Sequence, residues 1–253
     1  MEATVSFEDH SLLVLNKPAG WVVNDAETVK HNLVVQRWLT DHYNFETIGD
    51  REFRCGIVHR LVKETSGILL IAKTKDAFYE LQRQFRERIV EKTYVALVHG
   101  IVEPKEGKIE AEVGRLPWRR DRFGVLPGGR DSLTYYKVIQ VCHPRVDGDP
   151  IKTNQHRVNW IPASAGMTYS LLEFYPKTGR THQIRIHAKY IGHPLVSDDF
   201  YAGRKTARKD RKWCPRLFLQ AKAITFLHPV TKKELKFESE LAEDLQEVLK
   251  SLT

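Results

Sequence analysis

The sequence has few cysteines and no long hydrophobic run, and both absences exclude classes of protein. Its three cysteines, Cys55, Cys142 and Cys214, are odd in number and widely spaced in a chain of 253 residues. Because no Cys-x-x-Cys pair occurs, neither a disulfide framework nor a zinc knuckle is expected. No apolar stretch is long enough to span a membrane, and the first residues lack the basic start and apolar core of a signal peptide. We therefore expect a cytoplasmic protein with no membrane partner.

Acidic residues are also in the minority. The chain has 40 Lys and Arg against 32 Asp and Glu, which gives a net charge of +8 and a pI near 9.3. Such an excess of positive charge favours a polyanionic partner, most simply nucleic acid, although many basic proteins bind none. The length suits one large domain or two closely packed halves, and we predict a single domain over residues 1–253.

Hydrophobic patterning predicts both helices and strands along the chain. Apolar residues at helical spacing predict helices at 32–43, 76–89 and 241–252. Runs of β-branched and aromatic residues predict strands at 12–23 (two strands around a turn), 68–72, 90–100, 108–113, 134–142, 167–175 and 224–227. Residues 144–166 contain Gly, Pro, Asn and Asp without a pattern, and we interpret them as an inserted loop.

Two basic segments are predicted to be loops. Residues 115–130 combine five arginines with Trp118 and Phe123 among glycines and prolines. Arginines beside aromatic rings suit phosphates and unstacked bases, but an ordinary solvated loop fits the same composition. Residues 204–216 are strongly basic, and we interpret them as a loop that covers RNA or faces solvent.

Two polar motifs lie beside predicted strands. The first, His59–Gly67, reads His-Arg-Leu-Val-Lys-Glu-Thr-Ser-Gly and precedes the apolar run at 68–72. A polar loop held by a buried strand is a common site of chemistry, although a plain surface turn is the more frequent case. The second, Thr178–Arg185, reads Thr-Gly-Arg-Thr-His-Gln-Ile-Arg and is followed by a His-Pro pair at 193–194. We predict that Arg185 lies on a strand.

Both motifs resemble those of the RluA branch of pseudouridine synthases. The central motif of that family reads His-Arg-Leu-Asp, two variable residues and Thr-Ser-Gly, and this chain matches every fixed position except one. Val62 stands where the family has its catalytic Asp. The second motif matches throughout, and a Lys-Pro-x-Gly turn at 17–20 and a Lys-x-Tyr at 92–94 resemble two further family motifs. The resemblance runs from about residue 10 to about residue 249.

The resemblance implies an isomerase that converts uridine to pseudouridine in rRNA or tRNA. The reaction breaks the bond from N1 of a flipped-out uracil to the ribose and rejoins the base through C5, so it implies no cofactor and no metal. RNA is the implied partner, and we expect a monomer. The expected fold is α+β, with a mixed, mainly antiparallel central sheet flanked by helices. A basic cleft is expected to split this sheet where the turn at Val62 meets the strands of Tyr94 and Arg185. The family's small N-terminal RNA-binding domain, of the S4 type, is expected to be absent, because the first motif begins at once.

The resemblance also assigns roles to individual residues. Position 62 would hold the catalytic carboxylate, Tyr94 would stack on the uracil and serve the proton step, and Arg185 would pair with the carboxylate. The residues implied to contact RNA are Lys17, Arg60, Arg180, His182 and Gln183. Arg60 among them would fill the gap left by the flipped base. Because Val62 cannot act as a nucleophile or a base, Arg185 is expected to be a partly buried cation without a partner.

Two classes of function stay open at this stage. The chain is either a pseudouridine synthase with a changed catalytic position or a catalytically inactive RNA-binding protein, an RNA chaperone or ribosome assembly factor. The intact Arg60, Tyr94 and Arg185 favour the first. Glu64 is the nearest substitute carboxylate, but its side chain need not point into the cleft. No Ser-His-Asp pattern supports a hydrolase. A metal site is also not favoured, because no acidic ligand lies within the motif beside the candidate histidines, His182, His187 and His193.

Overall fold

The computed structural model describes residues 2–25, 33–143 and 168–252. The predicted insertion at 144–166 lies outside the described residues. The chain divides into two compact units, residues 1–93 with 220–240 and residues 94–219 with 241–253. The single domain expected over the whole chain stays a prediction. Within the described ranges, no helix combines the length and the apolar character needed to cross a membrane.

The helices and strands confirm an α+β fold with mixed, mainly antiparallel strand pairing. In chain order they are β1 (Thr4–Glu8), β2 (Leu12–Lys17), α1 (Val35–His42), a short 3-10 turn (Arg54–Gly56), β3 (Ser66–Ala72), α2 (Lys75–Arg86), β4 (Glu91–His99), β5 (Glu106–Leu116), β6 (Arg119–Val125), β7 (Arg130–Cys142), β8 (Tyr169–Pro176), α3 (Gln183–Tyr190), α4 (Arg204–Asp210), β9 (Leu219–Leu227), β10 (Glu234–Glu238) and α5 (Glu243–Lys250).

The first unit is built on a sheet in the order β1-β2-β3-β9-β10. β3 and β9 pair in parallel, whereas the other neighbours are antiparallel. Every residue of β3 is buried, as the apolar run at 68–72 predicts for a central strand. Helix α2 packs Phe78 and Leu81 into the same core, as their helical spacing predicts, but Ile89 lies beyond its end.

The second unit is built on an antiparallel sheet in the order β4-β8-β7-β5-β6. Its core combines Leu172 and Phe174 of β8 with Ile184 and Ala188 of α3. Residues four apart on a helix share a face, so this pair turns the apolar side of α3 towards that core. The helix predicted at 241–252 is present as α5.

Four local predictions are wrong. The second of the two strands predicted at 12–23 does not form in the described residues, where Val22 makes only an isolated bridge to Val34 after β2 ends. Residues 119–125 form strand β6, because their backbone pairs with β5. Arg119 is paired with Leu116 and Val125 with Val113, and this pairing outweighs a composition rich in charge. Arg185 lies on helix α3 and not on a strand, since the alternation of isoleucines around it concealed the four-residue spacing. Residues 204–210 form helix α4, whose lysines, arginines and alanine are good helix formers.

Candidate active site

Val62 opens a tight turn that leads into β3, and residues 62–65 are called the Val62 turn below. The backbone N–H of Thr65 donates to the carbonyl of Val62 at 3.1 Å, which closes the turn. Leu61 is 5% exposed and anchors the entry to the turn, whereas Val62 is half-buried. Among the described residues the buried hydroxyl of Thr65 has no hydrogen-bond partner. The turn is therefore intact, but the side chain at position 62 offers no lone pair to a substrate.

Lys17 is buried, contrary to the expectation of an RNA-binding side chain at the rim of a cleft. It is 0% exposed. Its Nζ donates to three backbone carbonyls, those of Pro18 at 2.8 Å, Trp21 at 3.0 Å and Lys63 at 3.4 Å. The backbone N–H of Gly20 donates to the same carbonyl of Lys63 at 2.8 Å. The buried ammonium thus ties the Lys-Pro-x-Gly turn to the Val62 turn.

The Thr-Ser-Gly end of the first motif anchors β3 to β9. Gly67 has a φ of +114°, and a Cβ there would lie 2.1 Å from the carbonyl oxygen of Ala221, so no side chain fits. The Ser66 hydroxyl donates to Oε1 of Gln220 at 3.1 Å, and Nε2 of Gln220 donates to the carbonyl of Glu240 at 2.6 Å. These contacts fix the C-terminal side of the Val62 turn on the sheet.

His59 and Arg60 differ sharply in environment. Nε2 of His59 accepts the backbone N–H of Leu70 at 2.9 Å, and its ring packs against Phe85 with centroids 5.0 Å apart. Burial, and to a lesser degree the charge of Lys92, lowers the pKa of His59 to about 3, so the ring is neutral at pH 7. Arg60 is exposed. The histidine is therefore a structural anchor, and the arginine is accessible to a ligand.

Tyr94 lies on β4 opposite Phe174 of β8 and is half-buried. Burial raises the pKa of its phenol to about 12. The phenol is therefore protonated at neutral pH, where it can donate a hydrogen bond and present a ring face. It is a poor general base in this state, because few molecules are ionised at pH 7.

Arg185 has a partner, contrary to the expectation of an unpaired cation. Its Nε and Nη2 donate to the two carboxylate oxygens of Asp198 at 2.7 and 2.6 Å. The arginine is 4% exposed and the aspartate 0%, so water does not screen this bidentate pair. The rings of Phe200 and Tyr201 lie 5.2 and 5.0 Å from the guanidinium carbon. The valine at position 62 therefore does not leave Arg185 without a carboxylate.

Gln183 is a structural residue, contrary to the expectation of an RNA contact. It is 4% exposed, and its Oε1 accepts the hydroxyl of Thr178 at 2.7 Å and the backbone N–H of Arg180 at 2.9 Å. Its Nε2 donates to the carbonyl of Leu133 at 3.1 Å and to the hydroxyl of Thr134 at 2.9 Å. The amide therefore fastens the Thr-Gly-Arg loop to β7 and has no capacity left for RNA. Arg180 is half-buried and donates to the carbonyl of Asp131 at 3.2 Å.

The three histidines weighed as metal ligands each have a separate partner. His182, at a φ of +57°, shares a 3.0 Å hydrogen bond with the hydroxyl of Tyr201. His187 contacts the hydroxyl of Ser132 at 2.8 Å, and His193 contacts the carbonyl of His99 at 2.8 Å. In the described part of the chain, no three His, Cys, Asp or Glu residues are placed to share a metal ion.

The sequence reasoning missed Asp198, Phe200 and Tyr201. They follow the His-Pro pair of the second motif, and the first of them holds the motif's arginine through both carboxylate oxygens. The only signal in the sequence was an acidic pair, Ser-Asp-Asp, next to two aromatic residues in a basic region. That pattern alone does not indicate which carboxylate turns inward.

The family model described as RNA pseudouridylate synthase matches residues 11–190. This range is more than half of the chain, and it contains all of the candidate site residues, which are Lys17, Arg60, Val62, Tyr94, Arg180, His182, Gln183 and Arg185.

Several curated proteins are similar along nearly the whole chain. Ribosomal large subunit pseudouridine synthase C of Vibrio vulnificus is 34% identical over 258 residues, which cover 100% of this chain and 70% of that protein. Ribosomal large subunit pseudouridine synthase D of Nitrosomonas europaea is 34% identical over 252 residues, which cover 98% of this chain and 64% of that protein. An uncharacterised RNA pseudouridine synthase of Synechocystis is 33% identical and covers 90% of this chain and 62% of that protein. The chain thus spans about two thirds of the length of these relatives.

Two solved human structures have a similar fold. RNA Pseudouridylate Synthase Domain Containing 1 has a TM-score of 0.68 at 24% identity and covers 95% of this chain and 84% of that chain. RNA Pseudouridylate Synthase Domain Containing 4 has a TM-score of 0.66 at 20% identity and covers 98% and 92%. At these identities the likeness concerns the fold alone.

Proposed function

Because this chain belongs to the RNA pseudouridylate synthase family, in its RluA branch, we propose that it binds ribosomal RNA and that Val62 limits its isomerisation of uridine. Two relatives that cover nearly the whole chain are named for the large ribosomal subunit, which supports ribosomal RNA over transfer RNA. A cytoplasmic location belongs to the same proposal, since ribosomal RNA is found there.

The observation that carries the proposal is an apolar side chain at position 62 of an intact turn. The Val62 turn keeps its closing hydrogen bond, its tie to Lys17 and its anchor at Gly67. The turn is therefore ordered at position 62, but the valine there lacks the carboxylate on which the family's chemistry depends.

The chemistry sets what the site residues must supply. The bond from N1 to the ribose breaks, the base turns, a bond from C5 to the ribose forms, and the proton on C5 is lost while N1 gains one. Tyr94, with a protonated phenol, can stack on the base and donate a hydrogen bond. Arg60 is exposed and therefore accessible to the gap that a flipped base leaves. Neither group replaces a carboxylate that acts on the sugar or the base.

Restoring the carboxylate tests the proposal. We expect Val62→Asp to release tritium from C5-tritiated large-subunit rRNA at least roughly a hundredfold faster than the Val62 form, since losing a concerted catalytic group usually removes most of the rate. Asp is close to Val in size, so little steric strain is expected. Val62→Asn is the matched control, because asparagine has the shape of aspartate and is polar but has no carboxylate. This variant should release tritium as slowly as the Val62 form.

Three other outcomes would change the proposal. Fast release by the Val62 form would show that another residue supplies the carboxylate, and Glu64, half-buried two positions later, would be the first to replace. Release from transfer RNA but not from ribosomal RNA would correct the substrate class. RNA binding without release by Val62→Asp on any RNA would favour the second candidate, an inactive RNA chaperone or ribosome assembly factor.

A further inference from the structure

The second unit contains a pocket that none of the candidate site residues lines. It has a volume of about 280 Å³ and lies between β6, α3 and the segment that follows Asp198. This volume is at the small end of ligand pockets, which are typically about 300–1,000 Å³, and suits a single ring system rather than a length of chain. The lining residues used below are Arg122, Phe123, Lys189, Tyr190, Phe200 and Tyr201, and together they are called the hairpin pocket.

Aromatic rings form the walls of the hairpin pocket. Tyr190 is 59% exposed and Phe200 is 38% exposed, whereas Tyr201 is 6% exposed and forms the floor. Large exposed rings that line a concavity are unusual on a surface, because burying them against a partner is favourable. Such rings provide faces on which a planar ring can stack.

Cationic groups surround the rings. The guanidinium of Arg122 lies 5.3 Å from the centroid of Phe200, and its Nη1 donates to the carbonyl of the same residue at 2.7 Å. Its Nε is buried and has no hydrogen-bond acceptor among the described residues, since the carboxylate of Asp121 is 3.9 Å away. A buried donor of this kind is costly unless a ligand supplies an acceptor.

Two further cationic side chains lie at or beside the hairpin pocket. Arg115 lies 5.1 Å from the ring centroid of Phe123, which is itself a wall of the pocket. Lys189 is exposed, and within the described ranges its ammonium has no ion pair. The pocket therefore combines ring faces with positive charge, which is the combination that single-stranded nucleic acid requires.

We propose that the hairpin pocket holds one unpaired nucleotide of the RNA, separate from the uridine that the family's chemistry addresses. The base stacks on Tyr190 and Phe200, and its phosphate accepts hydrogen bonds from Arg122 and Lys189. This inference rests on the proposed RNA function. An acidic peptide would use the cations but not the exposed ring faces, and the small volume excludes a duplex. Phe200 also contacts Arg185, so the bound base and the second motif share one wall.

The test uses a short single-stranded RNA that contains one fluorescent purine analogue. We expect the wild-type protein to quench the analogue on binding, because stacking on an aromatic ring quenches such bases. Tyr190→Ala should reduce the quenching, since only Phe200 is left to stack on the base, and should weaken binding roughly tenfold with the salt dependence unchanged. Tyr135→Ala is the matched control, since Tyr135 is 42% exposed on β7 and does not line the pocket. It should behave as the wild type.

A charge variant tests the phosphate contact separately. Arg122→Gln should reduce the magnitude of the slope of log affinity against log salt by about one, which corresponds to one lost phosphate contact. Arg119 is exposed on the same strand, and Arg119→Gln should leave the quenching of the analogue unchanged. If Tyr190→Ala and Tyr135→Ala have equal effects while the wild-type protein binds RNA, the hairpin pocket does not hold a nucleotide, and the proposed function is unaffected. No RNA binding by the wild type even at low salt would overturn both.

Discussion

At the scale of single residues, the pairing of Arg185 changes what Val62 means. The family resemblance implies that Arg185 pairs with a carboxylate at position 62, but Asp198 accepts hydrogen bonds from this arginine through both of its oxygens. With Val62 in the chain, the buried charge of Arg185 is thus balanced by Asp198.

Asp198 should be far more important for stability than its neighbour. We expect Asp198→Asn to lower the free energy of unfolding by about 3–5 kcal/mol, because the amide would turn a donor towards Nε of Arg185 and leave a buried charge unpaired. Asp199→Asn is the control, since Asp199 is 57% exposed in its pair with Arg211, and its loss should cost less than about 1 kcal/mol. Urea unfolding followed by tryptophan fluorescence measures both. Equal costs would show that the buried pair contributes no special stability.

At the scale of secondary structure, the sequence predicts the strands and helices that depend on local hydrophobic patterns. It does not predict features that depend on contacts with residues far along the chain. The buried strand β3 is visible as an apolar run, and α2 as an apolar stripe. The need for glycine at position 67 is not visible, because the obstructing carbonyl belongs to Ala221 on another strand. Likewise one of the three carbonyls that accept from the buried ammonium of Lys17 belongs to Lys63, far along the chain. Tertiary contacts decided these positions.

The tie between Lys17 and the Val62 turn can be tested directly. We expect Lys17→Met to lower the free energy of unfolding by about 1–3 kcal/mol, because buried carbonyls lose a charged donor while the methionine keeps the side-chain length. Amide hydrogen exchange in residues 61–65 should become faster. Lys63→Met is the control, because that side chain is exposed and only its carbonyl takes part. If exchange in the turn is unchanged in Lys17→Met, then the ammonium does not hold the turn.

At the scale of the whole molecule, composition predicts the class of partner but not the residues that meet it. A net charge of +8 favours a polyanion, and family membership agrees. However, Lys17 and Gln183, two of the residues expected to contact RNA, are buried. Arg122 and Lys189, which are not among the residues that the resemblance assigns to RNA, line a pocket. Charge counts are a property of the sequence, whereas exposure is a property of the fold. The convergence of Val62, Tyr94 and Arg185 at one basic cleft stays a prediction.

Stability of the whole molecule should fall in mild acid because of a buried histidine. His187 is 0% exposed, and burial lowers its pKa to about 4. The hydroxyl of Ser132 donates to the carbonyl of Ala111 at 2.5 Å, so it accepts Nε2–H of His187, and Nδ1 is left as a buried acceptor without a partner in the described structure. A proton on Nδ1 would therefore place a charge where no counter-ion compensates it.

The sign of the effect follows from the two pKa values. Since the folded pKa of His187 is depressed below the unfolded value, near 6.5, the unfolded chain binds a proton that the folded chain does not as the pH falls through this range. We expect the free energy of unfolding to drop by about 2 kcal/mol between pH 7 and pH 5 on this account. His187→Gln, which keeps a donor for Ser132, should remove this part of the pH dependence and leave the part that His59 contributes, whereas replacing the exposed His10 with Gln should change neither. Urea unfolding at both pH values measures the difference, and an unchanged slope in His187→Gln would assign the acid sensitivity to other groups, such as His59, whose pKa is also lowered.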